Sequence, residues 1–127
     1  DQRGICQIDS PDLYMDDWFA RAAETTIVSC DELVDTEYFH QGDNARSVFW
    51  ERNVTQIVVP IAGGAHPSSC DPLYGFDMAH FKEYAASASV DGIEAYLDKY
   101  VTSKDEQAYQ SLVGGIDGIR ALPLPVY

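Results

Sequence analysis

A run of β-branched residues that stops at a glycine pair constrains this chain most. Gln56-Ile57-Val58-Val59-Pro60-Ile61-Ala62 is nearly free of polar groups. It breaks at Gly63-Gly64 into Ala65-His66-Pro67-Ser68-Ser69. A short apolar run bounded by turn residues reads as a strand covered on both faces, the pattern of parallel sheets. Gly63 and Gly64 permit backbone conformations and close approaches that a Cβ forbids. Ligands of open α/β sheets bind just past the carboxyl ends of strands. Gly63, Gly64, Ala65, His66, Pro67 and Ser68 therefore form the candidate ligand-binding loop. An ordinary strand-to-loop turn is the alternative on these residues alone.

The rest of the chain fits an α/β organisation with a helical last third. Gly4 to Ile8 is a short apolar stretch that suits a strand. Ser10-Pro11-Asp12 then reads as a helix start, with a capping Ser, Pro at the first helical position and an acid at the positive end of the dipole. Met15, Trp18, Phe19 and Ala22 follow at helical spacing, and Thr25 to Cys30 reads as a second strand. Strand, helix and strand within this length match a βαβ unit. Between Asp31 and Asn53, Glu32-Leu33-Val34 suits a helix start and Gln41-Gly42-Asp43-Asn44 a turn. Val48, Phe49 and Trp50 are expected to be buried, in no assigned element. Asp77 is expected to cap a helix with Met78, Phe81, Tyr84 and Ala88 on one face. Asp91 is expected to cap another, with Ile93, Tyr96, Leu97, Tyr100 and Val101 at i, i+3, i+4, i+7 and i+8. A third helix is expected from Lys104 to Val113, with Ala108, Leu112 and Val113 inward, closing at Gly114-Gly115. The helical part thus spans about 77–114, before an extended Leu122-Pro123-Leu124-Pro125 tail.

Composition bounds the class. The chain has 127 residues, enough for one domain, and 46% of them are hydrophobic, enough for a core. No apolar run is long enough to cross a membrane, so no membrane role is expected. The net charge of −13 argues against nucleic acid and anionic membranes as partners. It also makes the chain a poor site for a polyphosphate. Cys6, Cys30 and Cys70 are odd in number, widely spaced and without a CxxC, which reads as reduced thiols in a cytoplasmic protein.

Chemistry-bearing motifs are scarce. His40, His66 and His80 have no metal-ligand spacing with each other or with a cysteine, so no metal site is assigned. GxSxG, GxxxxGK[ST] and GxGxxG are all missing. Glu24, Glu32, Glu37, Glu51, Glu83, Glu94 and Glu106 could each serve as a carboxylate nucleophile, but none adjoins a glycine-rich turn. No catalytic residue is assigned. His66, held between Gly64-Ala65 and Pro67, is the polar group singled out. It suits a hydrogen bond to a ligand carbonyl, a ligand carboxylate or a partner subunit, or else one that fastens its own loop. Tyr74, Phe76, Phe81 and Tyr84 could wall a pocket or form core.

Several stretches taken together carry a resemblance. The Gly63 to Ser68 loop follows a Val-Val-Pro strand. Asp1-Gln2-Arg3-Gly4-Ile5-Cys6-Gln7 matches an Asp-x-x-Gly-Asn strand, with Ile5 where Asn is usual. Ala22-Ala23-Glu24, Ile27-Val28-Ser29-Cys30-Asp31-Glu32-Leu33-Val34 and Tyr96-Leu97-Asp98-Lys99-Tyr100-Val101 complete the set in order. This set resembles the C-terminal half of the alpha subunit of family I CoA-transferases, especially the glutaconate CoA-transferase group. The resemblance implies a single α/β segment over 1–127 with a partial parallel-sheet core of the NagB/RpiA/CoA-transferase type. It implies transfer of CoA between carboxylic acids through a glutamyl-CoA thioester, with the glutamate on a beta subunit. Acyl-CoA and a carboxylic acid are then the substrates, coenzyme A is a substrate rather than a cofactor, and no other cofactor is expected. The implied partners are the beta subunit and the N-terminal half of the alpha subunit. Relatives that open rings of steroid-derived CoA thioesters by hydrolysis carry a Gly-Gly-Ala-His loop too, which leaves an acyl-CoA thioester or ring-opening hydrolase as an alternative. A ligand-sensing module and a non-catalytic acidic scaffold are the others.

Overall fold

The computed structural model describes residues 1–8, 14–102 and 104–126. These fall into two compact units, Asp1–Gly64 and Ala65–Tyr127. Among the described residues no helix is long and apolar enough to cross a membrane.

Among its described residues the first unit has two separate strand pairs. β2 (Ile27–Cys30) and β4 (Ile57–Pro60) run parallel, in register from Ile27 opposite Ile57 to Cys30 opposite Pro60. Thr26 fixes that register. Its carbonyl accepts from the Gln56 and Ile57 N–H groups at 3.0 and 3.2 Å, and its own N–H donates to Gln56 Oε1 at 2.7 Å. β1 (Cys6–Gln7) pairs antiparallel with β3 (Val48–Trp50), so the expected βαβ unit of the first 30 residues does not form. The reason lies at Gly4. Its carbonyl accepts from the Thr55 hydroxyl at 3.0 Å, which in turn accepts from Trp50 Nε1 at 2.9 Å. This ties the first strand to the chain around β3. Gly4 has φ +91°, and a Cβ there would lie 2.7 Å from Thr55 Cβ, so only glycine fits.

Burial along β2 and β4 corrects a second expectation. Ile27, Ile57 and Val59 are exposed, while Val28, Val58 and Cys30 are half-buried. Alternate residues of a strand point to opposite faces, so this pair is covered on one face only. α1 (Asp16–Ala22) differs similarly. Its first-turn Asp16 and Asp17 and last-turn Arg21 suit the helix dipole, yet it buries no residue, and Trp18 and Phe19 are each 70% exposed. The helix start read at Ser10-Pro11-Asp12 lies outside the described residues. Glu32-Leu33-Val34 is irregular. Helical geometry begins only in the 3₁₀ turns Thr36–His40 and Gly42–Arg46, where Phe39 is buried. The Asp1 carboxylate holds this corner, accepting from the Thr36 hydroxyl at 2.6 Å and from the Arg3 and Ile5 N–H groups. Of the Val48-Phe49-Trp50 stretch, expected to be buried, Trp50 is buried and Val48 and Phe49 are half-buried.

The second unit is helical after a turn at Cys70–Tyr74. α2 (Met78–Ala86) starts at Asp77, whose side chain accepts from the His80 N–H at 2.9 Å, as the sequence predicts. α3 (Val90–Tyr100) is capped by Ser89 rather than by Asp91. Ser89 has the extended backbone of a cap and accepts from the Gly92 N–H, while Asp91 sits in the first turn. α4 (Glu106–Leu112) is capped by Asp105. Gly114 and Gly115, at φ +90° and +70°, then turn the chain into α5 (Gly115–Arg120), a helix past the expected stop, which buries Ile119 completely. The tail packs back, with the Gly75 N–H donating to the Leu122 carbonyl at 3.3 Å. A Cβ on residue 75 would collide with the Pro123 carbonyl oxygen.

Candidate functional site

The structure divides the candidate loop between the two units. Gly63 and Gly64 close the first. Gly63 is the residue with positive φ, +76°, and its buried N–H donates to Asp31 Oδ1 at 2.6 Å. The Gly64 N–H donates to the Ile61 carbonyl, and a Cβ on Gly64 would lie 2.7 Å from Ile61 Cγ2. Close approach therefore explains one glycine and backbone conformation the other. Ala65 to Ser68 open the second unit. The Ala65 N–H donates to the Tyr74 hydroxyl at 3.1 Å, and the Ser68 N–H to the Ala65 carbonyl at 2.8 Å. The Pro67 carbonyl accepts from the Asp77 N–H at 3.0 Å. The N–H groups of Gly63, Gly64, Ala65 and Ser68 are thus all spent on the loop's own shape.

His66 points inward. Its side chain is 1% exposed. Nδ1 lies 2.6 Å from the Tyr109 hydroxyl of α4, and Nε2 lies 3.2 Å from Asp77 Oδ2. With Asp77 ionised, Nε2 carries the ring proton and Nδ1 accepts from the tyrosine, an assignment made from the partners. The ring fastens the loop to the start of α2 and to α4. A direct contact with a ligand would require it to release one of these partners.

Around His66 lies a cluster that sequence reasoning did not assemble. His80 of α2 meets the His66 ring edge to face at 5.2 Å between centroids, and its Nε2 is 2.6 Å from the Tyr96 hydroxyl of α3. Tyr100 packs on His80 at 4.5 Å and donates its hydroxyl to Glu83 at 2.9 Å. Lys99 binds Glu83 at 2.6 Å and sits over the Tyr100 ring. Burial lowers the pKa of His80, and the neighbouring His66 adds to the effect, so its imidazole is held neutral. Burial also lifts Tyr109, to about 12, keeping its phenol protonated. At Asp77 burial pushes upward, but hydrogen bonds from the His80 N–H and from His66 prevail and hold its carboxyl below the ordinary value. His66, Asp77 and His80 each offer one ligand atom, and these atoms lie within 4.8 Å of one another. The sequence reading assigned no metal because it compared spacing among His and Cys alone. The discernible signal was Asp77-x-x-His80 at a helix start.

The aromatic set read as pocket wall or core forms neither as a unit. Tyr74 is wholly buried beneath the loop, Phe76 pairs with Phe81 at 6.3 Å, and Tyr84, 53% exposed, leans on Tyr96. On α2 the expected inward residue Met78 is exposed, and His80 is the buried one. All seven glutamates are exposed. Glu51 pairs with Arg21 and Glu83 with Lys99. In the first unit, a shallow cleft of about 400 Å³ lies between α1 and β2, lined by Phe19, Ala23, Val28 and Trp50 with Asp16 at its edge.

No protein-family model matches the chain. It is 31% identical over 114 residues to the cholesterol ring-cleaving hydrolase IpdA subunit of Mycobacterium tuberculosis, covering 89% of this chain and 39% of that protein. It is 30% identical over 97 residues to a glutaconate CoA-transferase subunit of Acidaminococcus fermentans, covering 75% of this chain and 30% of that protein. The crystal structure of glutaconate coenzyme A-transferase from the same organism matches with a TM-score of 0.85 at 26% identity, over 97% of this chain and 38% of that one. The chain therefore spans two-fifths or less of the length of each of these relatives. Mixed parallel and antiparallel strand pairs followed by packed helices make this a CoA-transferase-like fold.

Proposed function

We propose that this chain is a segment of the alpha subunit of a cytoplasmic enzyme that moves coenzyme A between carboxylic acids. The observation that carries the reading is the likeness to glutaconate coenzyme A-transferase along nearly the whole chain. The glutamate that forms the glutamyl-CoA thioester belongs to a beta subunit in this reading. Two features support that division. All seven glutamates here are exposed, and none lies in a closed site. The charge of −13 opposes binding of the CoA phosphates by this chain alone. Covalent transfer splits one hard step into two easier ones. In this reading this chain's part is the Gly63–Ser68 loop on the acyl side. Because four loop N–H groups are already bonded, the loop shapes the site rather than supplying those donors to an oxyanion. The bare faces of α1 and of the β2–β4 pair are covered by the remaining part of the subunit.

A second reading has its own observation. The likeness to the ring-cleaving hydrolase subunit extends over 114 residues, further along the chain than the likeness to the transferase subunit. Water would then be the second reactant, adding across the ring bond or the thioester bond that it breaks, and no carboxylic acid would accept CoA. One experiment separates the two. The chain, assembled with its beta subunit and the rest of the alpha subunit, is given acyl-CoA thioesters with and without a second carboxylic acid. CoA appearing on the added acid supports the transferase. Turnover of the thioester that ignores the added acid supports the hydrolase. Robust turnover by the isolated chain overturns the division of the site.

A further inference from the structure

We propose that His66, Asp77 and His80 form a binding site for one zinc-class divalent cation. Two imidazoles and a carboxylate are a zinc donor set, and three protein ligands leave a fourth position open. The three ligand atoms already lie within 4.8 Å of one another, from a loop, a helix cap and the first turn of α2. His66 Nε2 and Asp77 Oδ2 stand 3.2 Å apart. Two ligands each about 2.0–2.1 Å from a tetrahedral zinc stand roughly 3.3 Å apart, so this edge needs almost no movement.

The surrounding hydrogen bonds are those a metal site requires. A ligating histidine offers one ring nitrogen to the metal and donates the other N–H to an oxygen, which fixes ring and tautomer. Here Tyr109 stands at His66 Nδ1 and Tyr96 at His80 Nε2, both at 2.6 Å. This leaves His66 Nε2 and His80 Nδ1 as the donors. Asp77 Oδ1 keeps its bond to the His80 N–H while Oδ2 binds the cation, so the helix cap survives. Binding exchanges one contact, His66 to Asp77, for three metal bonds. The His66 ring proton moves from Nε2 to Nδ1 through tautomer exchange, Tyr109 turns from donor to acceptor, and no net proton is lost. The Asp77 side chain, 23% exposed, is the side from which the cation and a fourth, water ligand enter.

The test uses the full chain in the assembly in which it purifies, stripped with a chelator and titrated with Zn²⁺ and, separately, with Co²⁺. The expected result is one saturable equivalent, with a visible cobalt spectrum of tetrahedral intensity and no thiolate charge-transfer band. Asp77→Asn keeps a capping side chain, so the fold is retained while the anionic ligand is removed. It should weaken binding at least tenfold, and His80→Gln likewise. Tyr109→Phe should weaken binding about 10- to 100-fold at unchanged stoichiometry, the usual effect of removing a group that orients a ligand. Failure to saturate, affinity unchanged in folded Asp77→Asn, or a cobalt–thiolate band from Cys6, Cys30 or Cys70 would each overturn the proposal. These readouts are independent of acyl-CoA chemistry and stand or fall apart from the proposed enzyme activity.

Discussion

The two units solve the problem of burial in opposite ways. In the first, apolar side chains that the sequence marks for burial face outward: Trp18 and Phe19 on α1, Ile27 on β2, Ile57 and Val59 on β4. Its corners are held by polar groups instead, the Asp1 carboxylate, the Thr55 hydroxyl and the Gln56 amide. In the second, polar aromatic groups face inward and satisfy one another, as His66 and His80 do with Tyr109, Tyr96 and Asp77. A bare apolar face implies something that covers it. A satisfied polar interior implies a rigid element whose geometry is fixed from within. The first unit is thus legible as one side of an assembly, the second as a preformed site.

If the second unit is that rigid, its backbone crowding should be the most sensitive point. Gly75 is buried, and the space where its Cβ would stand is taken by the Pro123 carbonyl oxygen. Backbone cannot rotate away as a side chain can. Gly75→Ala should destabilise by about 3 kcal/mol, at the upper end of overpacking costs. The check is the urea midpoint at constant m-value, and an unchanged midpoint would show that the tail is not held there.

His66→Ala comes next. It leaves the half-buried Tyr109 hydroxyl without its partner, worth roughly 1–3 kcal/mol, and takes one of the bonds of the partly exposed Asp77 carboxylate, which keeps the His80 N–H. A loss of about 2 kcal/mol is expected from thermal or chemical denaturation, more than the single hydrogen bond an exposed loop histidine would cost. Acyl-CoA turnover of the complete assembly should fall together with stability, because the ring acts by holding the loop. Activity lost at unchanged stability would instead put the imidazole on substrate.

Sequence periodicity located the β2, β4, α2, α3 and α4 segments but misjudged what they pack against. Ile57-Val58-Val59 is patterned for cover on both faces, and the chain supplies it on one. Met78 and Tyr84 have helical spacing, yet α2 turns His80 inward, where the Tyr96 hydroxyl bonds its ring and Tyr100 packs on it. Capping chemistry gave Asp77 correctly and chose Asp91 where Ser89 has the extended backbone. Gly114-Gly115 carries two positive φ values, which end one helix and begin another; glycine alone does not say which. The cluster around His66 was illegible for a simpler reason. Its members lie on a loop and three helices, and spacing along the chain does not reveal contacts between helices.

Acid should discriminate between the units. His80 is surrounded by His66, Asp77, Glu83, Lys99, Tyr96 and Tyr100, and burial lowers its pKa from the ordinary 6.5. Folding thus favours the neutral ring, so the stability it contributes is present above pH 6.5 and is lost as pH falls through the lower folded value. Asp77 acts in the same direction, from the ordinary carboxylate range downward. Near-ultraviolet circular dichroism of the tyrosine cluster should melt at lower temperature as the pH drops below 6.5, while Trp50 fluorescence from the first unit follows less steeply. His80→Gln should flatten the tyrosine response. An unaltered slope in that variant would remove His80 as its cause.

The smallest effect is expected where the apolar surface is largest. Trp18 contributes little to the first unit's own core, since 70% of it is already in solvent. Substitutions at such positions, away from caps and cores, usually change stability by less than about 0.5 kcal/mol. Trp18→Ala should therefore leave the melting temperature of the isolated chain nearly unchanged. Association is a different quantity. Aromatic anchors that become buried at an interface cost upwards of roughly 2 kcal/mol when truncated, some thirtyfold in affinity. If the proposed remainder of the subunit lies over α1, Trp18→Ala should reduce co-purification and raise the dissociation constant by that order, with the monomer intact. A paired melt and sedimentation experiment reads both quantities on one preparation. A Trp18→Ala chain that unfolds early would mean that the indole already has cover within the chain, and the contrast between the two units would disappear. A chain that melts normally and assembles normally would move the interface elsewhere, to the bare Ile27–Ile57–Val59 face.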